Sequence, residues 1–203
     1  MADHQTDERV FDDDEREARW RARFTAPRLT RPDWARDAPD RSVYACNATG
    51  TWELYAWDRA TDTHRQFTDR PTGTAHGTVS PDGQELWWFA DTDGDEFGHW
   101  VVEPFAGRPA AQQPPPALPG VPDAYSAGLD IGRIVVAAGA SGNDGSTIWV
   151  RRGTDEPAEV IYQHVEDAGV GALSDDETLL AISHSEHGDS RHPSIRVLRV
   201  ADG

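Results

Sequence analysis

Four strand-like runs recur at one spacing along this 203-residue sequence, and that spacing limits what the chain can become. Leu54-Tyr55-Ala56-Trp57, Trp100-Val101-Val102-Glu103, Ile148-Trp149-Val150-Arg151 and Ile195-Arg196-Val197-Leu198 begin 46, 48 and 47 residues apart. A turn-plus-strand piece repeats in phase with them. Val79-Ser80-Pro81-Asp82-Gly83 before Leu86-Trp87-Trp88 matches Leu173-Ser174-Asp175-Asp176-Glu177 before Leu179-Leu180-Ala181, and the two serines lie 94 residues apart, twice 47. Leu129-Asp130-Ile131-Gly132 before Ile134-Val135-Val136 fills the slot between them. A period of about 40–50 residues with several short strands in each copy belongs to β-propeller blades. A β-sandwich has the strands without the period. The expected fold is therefore all-β: an incomplete β-propeller of about four blades, each a four-stranded antiparallel meander.

The best-formed copy runs from Thr78 to Phe105. Pro81 suits the second position of a turn because its φ is fixed, and Gly83 supplies freedom at the close. Glu85–Phe89 and Gly98–Phe105 are aromatic and β-branched, as strands require. The other copies place blades near residues 32–68, 73–107, 123–164 and 169–203. Residues 1–24 form an arm that is acidic and then basic. Asp12 is placed to cap a helix ending near Phe24, with Glu15 and Arg19 spaced for an ion pair and a thin apolar face of Phe11, Ala18 and Ala22. The segment Arg108–Pro122 holds six prolines. Proline lacks the ladder donor, so this segment replaces the outer strand of the second blade or loops around it. After Val200 the fourth copy lacks its last strand. An open edge of that kind is an aggregation liability. The expectation is an N-terminal part of something longer, or self-association through that edge.

Charge narrows the partners. Acidic residues outnumber basic ones 36 to 19, every basic residue is arginine, and the net charge is −17. Such a field repels nucleic acid and anionic membranes. It suits a salt-rich cytoplasm, while the absence of lysine also follows from a GC-rich genome. Cys46 is the single cysteine, which excludes a disulfide framework. The first residues lack the basic start and apolar core of a signal peptide, so a soluble cytoplasmic location is expected.

Candidate chemistry is sparse. The loop Asp91–Glu96 alternates acids as a calcium loop does, but Glu96 stands where an EF-hand needs glycine and Val102 where it needs glutamate. An acidic hairpin is the expected reading. His184, Glu186, His187 and His192 form the densest cluster of metal-ligand types, with His184 and Glu186 expected on one strand face; a polar hairpin is again preferred. The stretch Ala124-Tyr125-Ser126-Ala127-Gly128 approaches a nucleophile elbow without its first glycine. Gly139-Ala140-Ser141-Gly142 lacks the lysine of a phosphate loop. No catalytic, cofactor-binding or metal residue is assigned. Trp52, Trp57, Trp87, Trp100 and Trp149 fall at equivalent strand positions, where packing between blades explains them better than a ligand groove.

The repeat resembles the TolB-type propeller repeat, most clearly over Val79–Phe105 and more loosely over Pro32–Asp58. Longer strings resemble the N-terminal propeller of prolyl-oligopeptidase/acylaminoacyl-peptidase type serine peptidases: Glu53–Asp58, His64-Arg65-Gln66, Trp87–Gly98 and His184–Asp189. The resemblance runs from about Phe24 to the end. It implies a two-part enzyme in which the propeller caps an α/β-hydrolase domain and admits only small peptides. The family's serine, aspartate and histidine triad lies in the hydrolase domain, so none of it maps onto this sequence, and this chain alone is expected to be inactive. The alternative is a stand-alone TolB-like propeller that binds a protein partner.

Overall fold

The computed structural model describes residues 9–109, 116–154, 156–188 and 191–203. Among these residues there is one helix, α1 (Asp14–Thr25), followed by antiparallel strands. β1 (Asp33–Trp34), β2 (Arg41–Cys46), β3 (Glu53–Asp58) and β4 (Thr63–Gln66) form a four-stranded sheet in sequence order. β5 (Gly77–Val79), β6 (Glu85–Asp91) and β7 (Phe97–Pro104) form the second meander, and β8 (Ala124–Ile131), β9 (Val136–Gly142), β10 (Gly145–Arg151) and β11 (Glu159–His164) the third. β12 (Ala168–Leu173), β13 (Leu179–His184) and β14 (Ser194–Arg199) form a three-stranded fourth. The four in-phase runs fall on the third strand of each meander: β3, β7, β10 and β14. These four blades do not close into a ring.

Alternation along each strand builds the contacts between blades, because successive side chains leave opposite faces. Leu86 and Trp88 of β6 pack on Val43, Ala45, Leu54 and Ala56 of blade 1. Trp87, between them in sequence, faces the other way and packs on Val136 and Ala138 of blade 3 with Leu118. On blade 3, Ala137, Ile148 and Val150 turn toward Leu180, Ile182 and Leu198 of blade 4. The tryptophan pair thus serves two blade contacts at once, as the strand period predicts.

The second and third meanders are not separate sheets. β7 pairs with β8 at Phe97–Tyr125 and Gly98–Ala124, which joins them into one sheet of seven strands. Gly98 also lets β7 close against β6, since a Cβ there would run into the Ala90 carbonyl oxygen. The proline segment takes the outer place of blade 2, where Ala117 bridges Val101 and the Leu118 N–H donates to the Trp100 carbonyl. Its residues 110–115 lie outside the described residues.

The repeated turn is repeated in its hydrogen bonds as well. Ser80 Oγ donates to Asp82 and accepts the Gln84 and Glu85 N–H groups; Ser174 Oγ donates to Asp176 and accepts the Leu179 N–H. Gly83 has φ of 71°, and Glu177, at the same turn position, has 57°. A left-handed backbone is costly for glutamate. Its carboxylate offsets that cost by accepting the N–H groups of Arg133, Ile134 and Val135 in the β8–β9 turn. Burial acts to raise the Glu177 pKa, and these three donors outweigh it, so the group sits below its usual range. The Arg133 guanidinium continues across to Asp37 at 2.7 and 3.0 Å, and Arg36 reaches Asp175 at 3.1 Å. The Asp37 N–H also donates to the Pro81 carbonyl. The first-to-second-strand turns of all four blades are therefore tied together at one end of the molecule.

The arm departs from expectation in detail. Its cap is Asp13, not Asp12: the Asp13 carboxylate accepts from the Glu15 and Arg16 N–H groups. The ion pair along it is Glu17 to Arg21 at 2.6 Å, and Glu17 also receives the Val10 and Phe11 N–H groups. Its aromatic contacts are its own, Phe11 with Trp20 and Trp20 with Phe24. No helix among the described residues is long and apolar enough to cross a membrane.

Candidate functional site

The main hollow arises because β5 is short. β5 pairs with β6 only from Leu86 to Trp88, and before Gly77 the chain turns away. The far end of the β6–β7 hairpin thus has no inner neighbour from its own blade, and β8 approaches only its tip. The space left has a volume of about 850 Å³ and continues into a smaller recess of about 450 Å³. Trp52, Phe89, Trp100 and Tyr125 line it, with Asp91 and Glu96 among the polar groups.

Trp52 and Trp100 pack against the core clusters, as expected for packing between blades, but both are only half-buried and also stand in the wall of this hollow. Strand alternation places an indole on a blade face, but it does not reveal that the inner strand covering it ends early. Trp87 and Trp149 are buried as expected. Ser126, at the centre of the near-miss elbow, sits within β8 rather than on a strand-to-helix turn, and its Oγ accepts from the Gly128 N–H.

The acidic loop is the β6–β7 turn, with positive φ at Asp93, Gly94 and Glu96. Asp91 pairs with Arg70 at 3.4 Å, and Arg70 also donates to the Asp91 main-chain oxygen. Asp95 accepts the Phe97 N–H. Among the described residues no three histidine, cysteine, aspartate or glutamate side chains converge as metal ligands.

His184 and Glu186 do not share a face. The strand ends at His184, whose ring is buried in the blade 3–blade 4 contact against Tyr162 and His164, with ring centroids 5.4 and 4.6 Å away. Glu186 and His187 are exposed on the turn beyond. Burial lowers the His184 pKa below its ordinary 6.5, and neighbouring His164 lowers it further. A depressed histidine costs stability as pH falls: above about 6.5 both states are neutral, whereas below it the unfolded chain takes a proton that the folded one resists. The urea midpoint should therefore drop between pH 7.5 and 5.5, and His184→Phe, which keeps the ring packing, should drop less. An equal drop in both proteins would remove His184 from this role.

The fold is that of an open β-propeller with a hollow beside its second blade. No protein-family profile matches the chain, and no curated protein matches its sequence. Solved structures do match. TolB from Acinetobacter baumannii is 15% identical with a TM-score of 0.60, over 87% of this chain and 42% of that one. The β-propeller domain of the Trilobed protease from Pyrococcus furiosus is 10% identical with a TM-score of 0.58, over 84% and 53%. Prolyl oligopeptidase B from Galerina marginata is 15% identical with a TM-score of 0.64, over 90% and 30%. The chain thus spans between 30% and 53% of the length of these three. At such identities the likeness is one of fold.

Proposed function

We propose that this chain is the non-catalytic propeller portion of a cytoplasmic serine peptidase, packing on an α/β-hydrolase domain and limiting access to oligopeptides. The observation that carries this reading is the blade arrangement shared with prolyl oligopeptidase B over 90% of the chain. The sequence strings around Trp87–Gly98 and His184–Asp189 support the same family. In this reading the chain binds no cofactor, and the peptide bond is cut elsewhere in the parent enzyme.

An antibody against the chain, used on extracts of the source cells, tests it. The expected capture is a longer polypeptide that a fluorophosphonate probe labels and that hydrolyses oligopeptides. Capture of an unlabelled species of this chain's own mass, 22.4 kDa, overturns it. Turnover by the purified chain itself would overturn its inactivity.

A second reading, a stand-alone interaction module, is favoured by one observation. Leu179, Ile195 and Val197 share one face of blade 4 and are exposed, the last two by 71% and 59%. A discrete dimer of the purified chain by light scattering would support that reading.

A further inference from the structure

The hollow beside the short β5 has a composition that selects one kind of ligand. Four aromatic rings line it, and three of them make edge-to-face contacts that fix their geometry. Phe89 meets Trp100 edge to face at 5.2 Å, and Tyr125 meets Phe97 likewise at 5.3 Å. Aromatic faces carry negative potential and attract cations. The rim adds Asp91 and Glu96 of the β6–β7 turn, whose other acids, Asp93 and Asp95, lie beside them in sequence. Among the described residues only Asp91 of these four is ion-paired. Arg70 does not line the hollow; it pairs with Asp91 at 3.4 Å and lies 5.6 Å from the Trp88 ring, while its buried Nη1 has no hydrogen-bond partner, so it offsets the Asp91 charge but leaves that of Glu96. A bare metal ion finds no converging ligand set there, and an anion would face the acidic turn. The volume falls within the range of about 300–1,000 Å³ typical of small-molecule sites.

We infer that this hollow binds an organic cation, an ammonium or guanidinium group carried by a small molecule or by a peptide side chain. The rings supply the cation–π surface, and the acidic turn supplies the field that draws the ligand in. The inference concerns this chain alone and goes beyond the peptidase reading.

Calorimetry and tryptophan fluorescence of the purified chain at low ionic strength test it. Choline is compared with its uncharged carbon isostere, and N-acetyl-arginine amide with N-acetyl-citrulline amide. Each cation should bind about tenfold more tightly than its neutral partner, the scale of a desolvated cation–π contact. Tighter choline points to a free amine as the ligand, and tighter arginine derivative to a peptide side chain. Tyr125→Ala should weaken binding about fivefold, and Glu96→Gln, on the exposed turn, about threefold. Equal affinity for a cation and its isostere, or affinity unchanged in both variants, overturns the inference. Because no hydrolase domain takes part, that result leaves the peptidase reading untouched. Failure of the peptidase reading likewise leaves binding here unaffected.

Discussion

Trp87→Ala should lower the stability of the chain by about 3–5 kcal/mol, the range for emptying a buried aromatic site. For a domain of this size that corresponds to a fall of roughly 10 °C in Tm. Trp87 is fully buried and fills the contact between blade 2 and blade 3 with Val136, Ala138 and Leu118. Its indole N–H donates to Glu85 at 3.2 Å, and the Arg151 guanidinium lies 5.0 Å from the ring centroid. The loss should also change the shape of the transition. Blades in a repeat architecture contact only their neighbours, so cooperativity depends on each contact. Blades 1 and 2 share one core cluster, and blades 3 and 4 another. With Trp87 gone, the halves keep the two β7–β8 pairs, the smaller apolar contacts around Leu118, and the Asp37–Arg133, Arg36–Asp175 and Glu85–Arg151 ion pairs, but lose the largest side chain between them. The urea transition of Trp87→Ala should therefore broaden, with a smaller m-value. Trp34→Ala, at an indole 43% exposed, should cost less than about 1 kcal/mol and leave the slope intact. Equal effects of the two substitutions would show that the blade 2–blade 3 contact does not carry this coupling.

The architecture was legible in the sequence because strand spacing is a local property that repeats. The run Leu54-Tyr55-Ala56-Trp57 and its three counterparts name the third strand of each blade, and Ser80 and Ser174 name the same turn. The hollow was not legible, because it depends on where a strand stops. The sequence Ala75-His76-Gly77 does not show that pairing with β6 ends there, so the place of the half-buried Trp52 and Trp100 in the wall of the hollow was hidden. The β7–β8 join was equally hidden, since two residue pairs between remote segments leave no pattern in either. Glu177 shows the reverse case. Its place in a turn matched to Ser80-Pro81-Asp82-Gly83 marked a residue where glycine belongs. What makes a glutamate tolerable there, three N–H donors from residues 133–135, lies more than 40 positions away.

Glu53→Ala should be the most damaging change to a charged residue, costing about 3 kcal/mol, because it leaves buried donors without their acceptor. Glu53 is fully buried at the start of β3. One carboxylate oxygen accepts from the Arg70 N–H at 3.0 Å and from Thr51 Oγ at 3.2 Å. The other accepts from Thr68 Oγ at 2.6 Å, which in turn accepts the Leu54 N–H at 2.8 Å. These bonds fix the segment from Thr68 to Arg70, which leads into the loop Thr72–His76 along the hollow. The Thr74 N–H bonds to the Trp52 carbonyl in the same wall. Glu53 is not itself in that wall, so its loss should act on the hollow only through this loop. Choline affinity of Glu53→Ala should fall at a temperature where circular dichroism still reports a folded chain. Glu53→Gln, which keeps an acceptor oxygen but places an amide among donors, should cost roughly half as much stability. Thr68→Val removes one link of the network and should fall between wild type and Glu53→Ala in both measurements. If Glu53→Ala loses stability yet binds choline as the wild type does, the carboxylate holds the blade together without shaping the hollow. If neither property changes, the buried network does not contribute to the fold as its geometry requires.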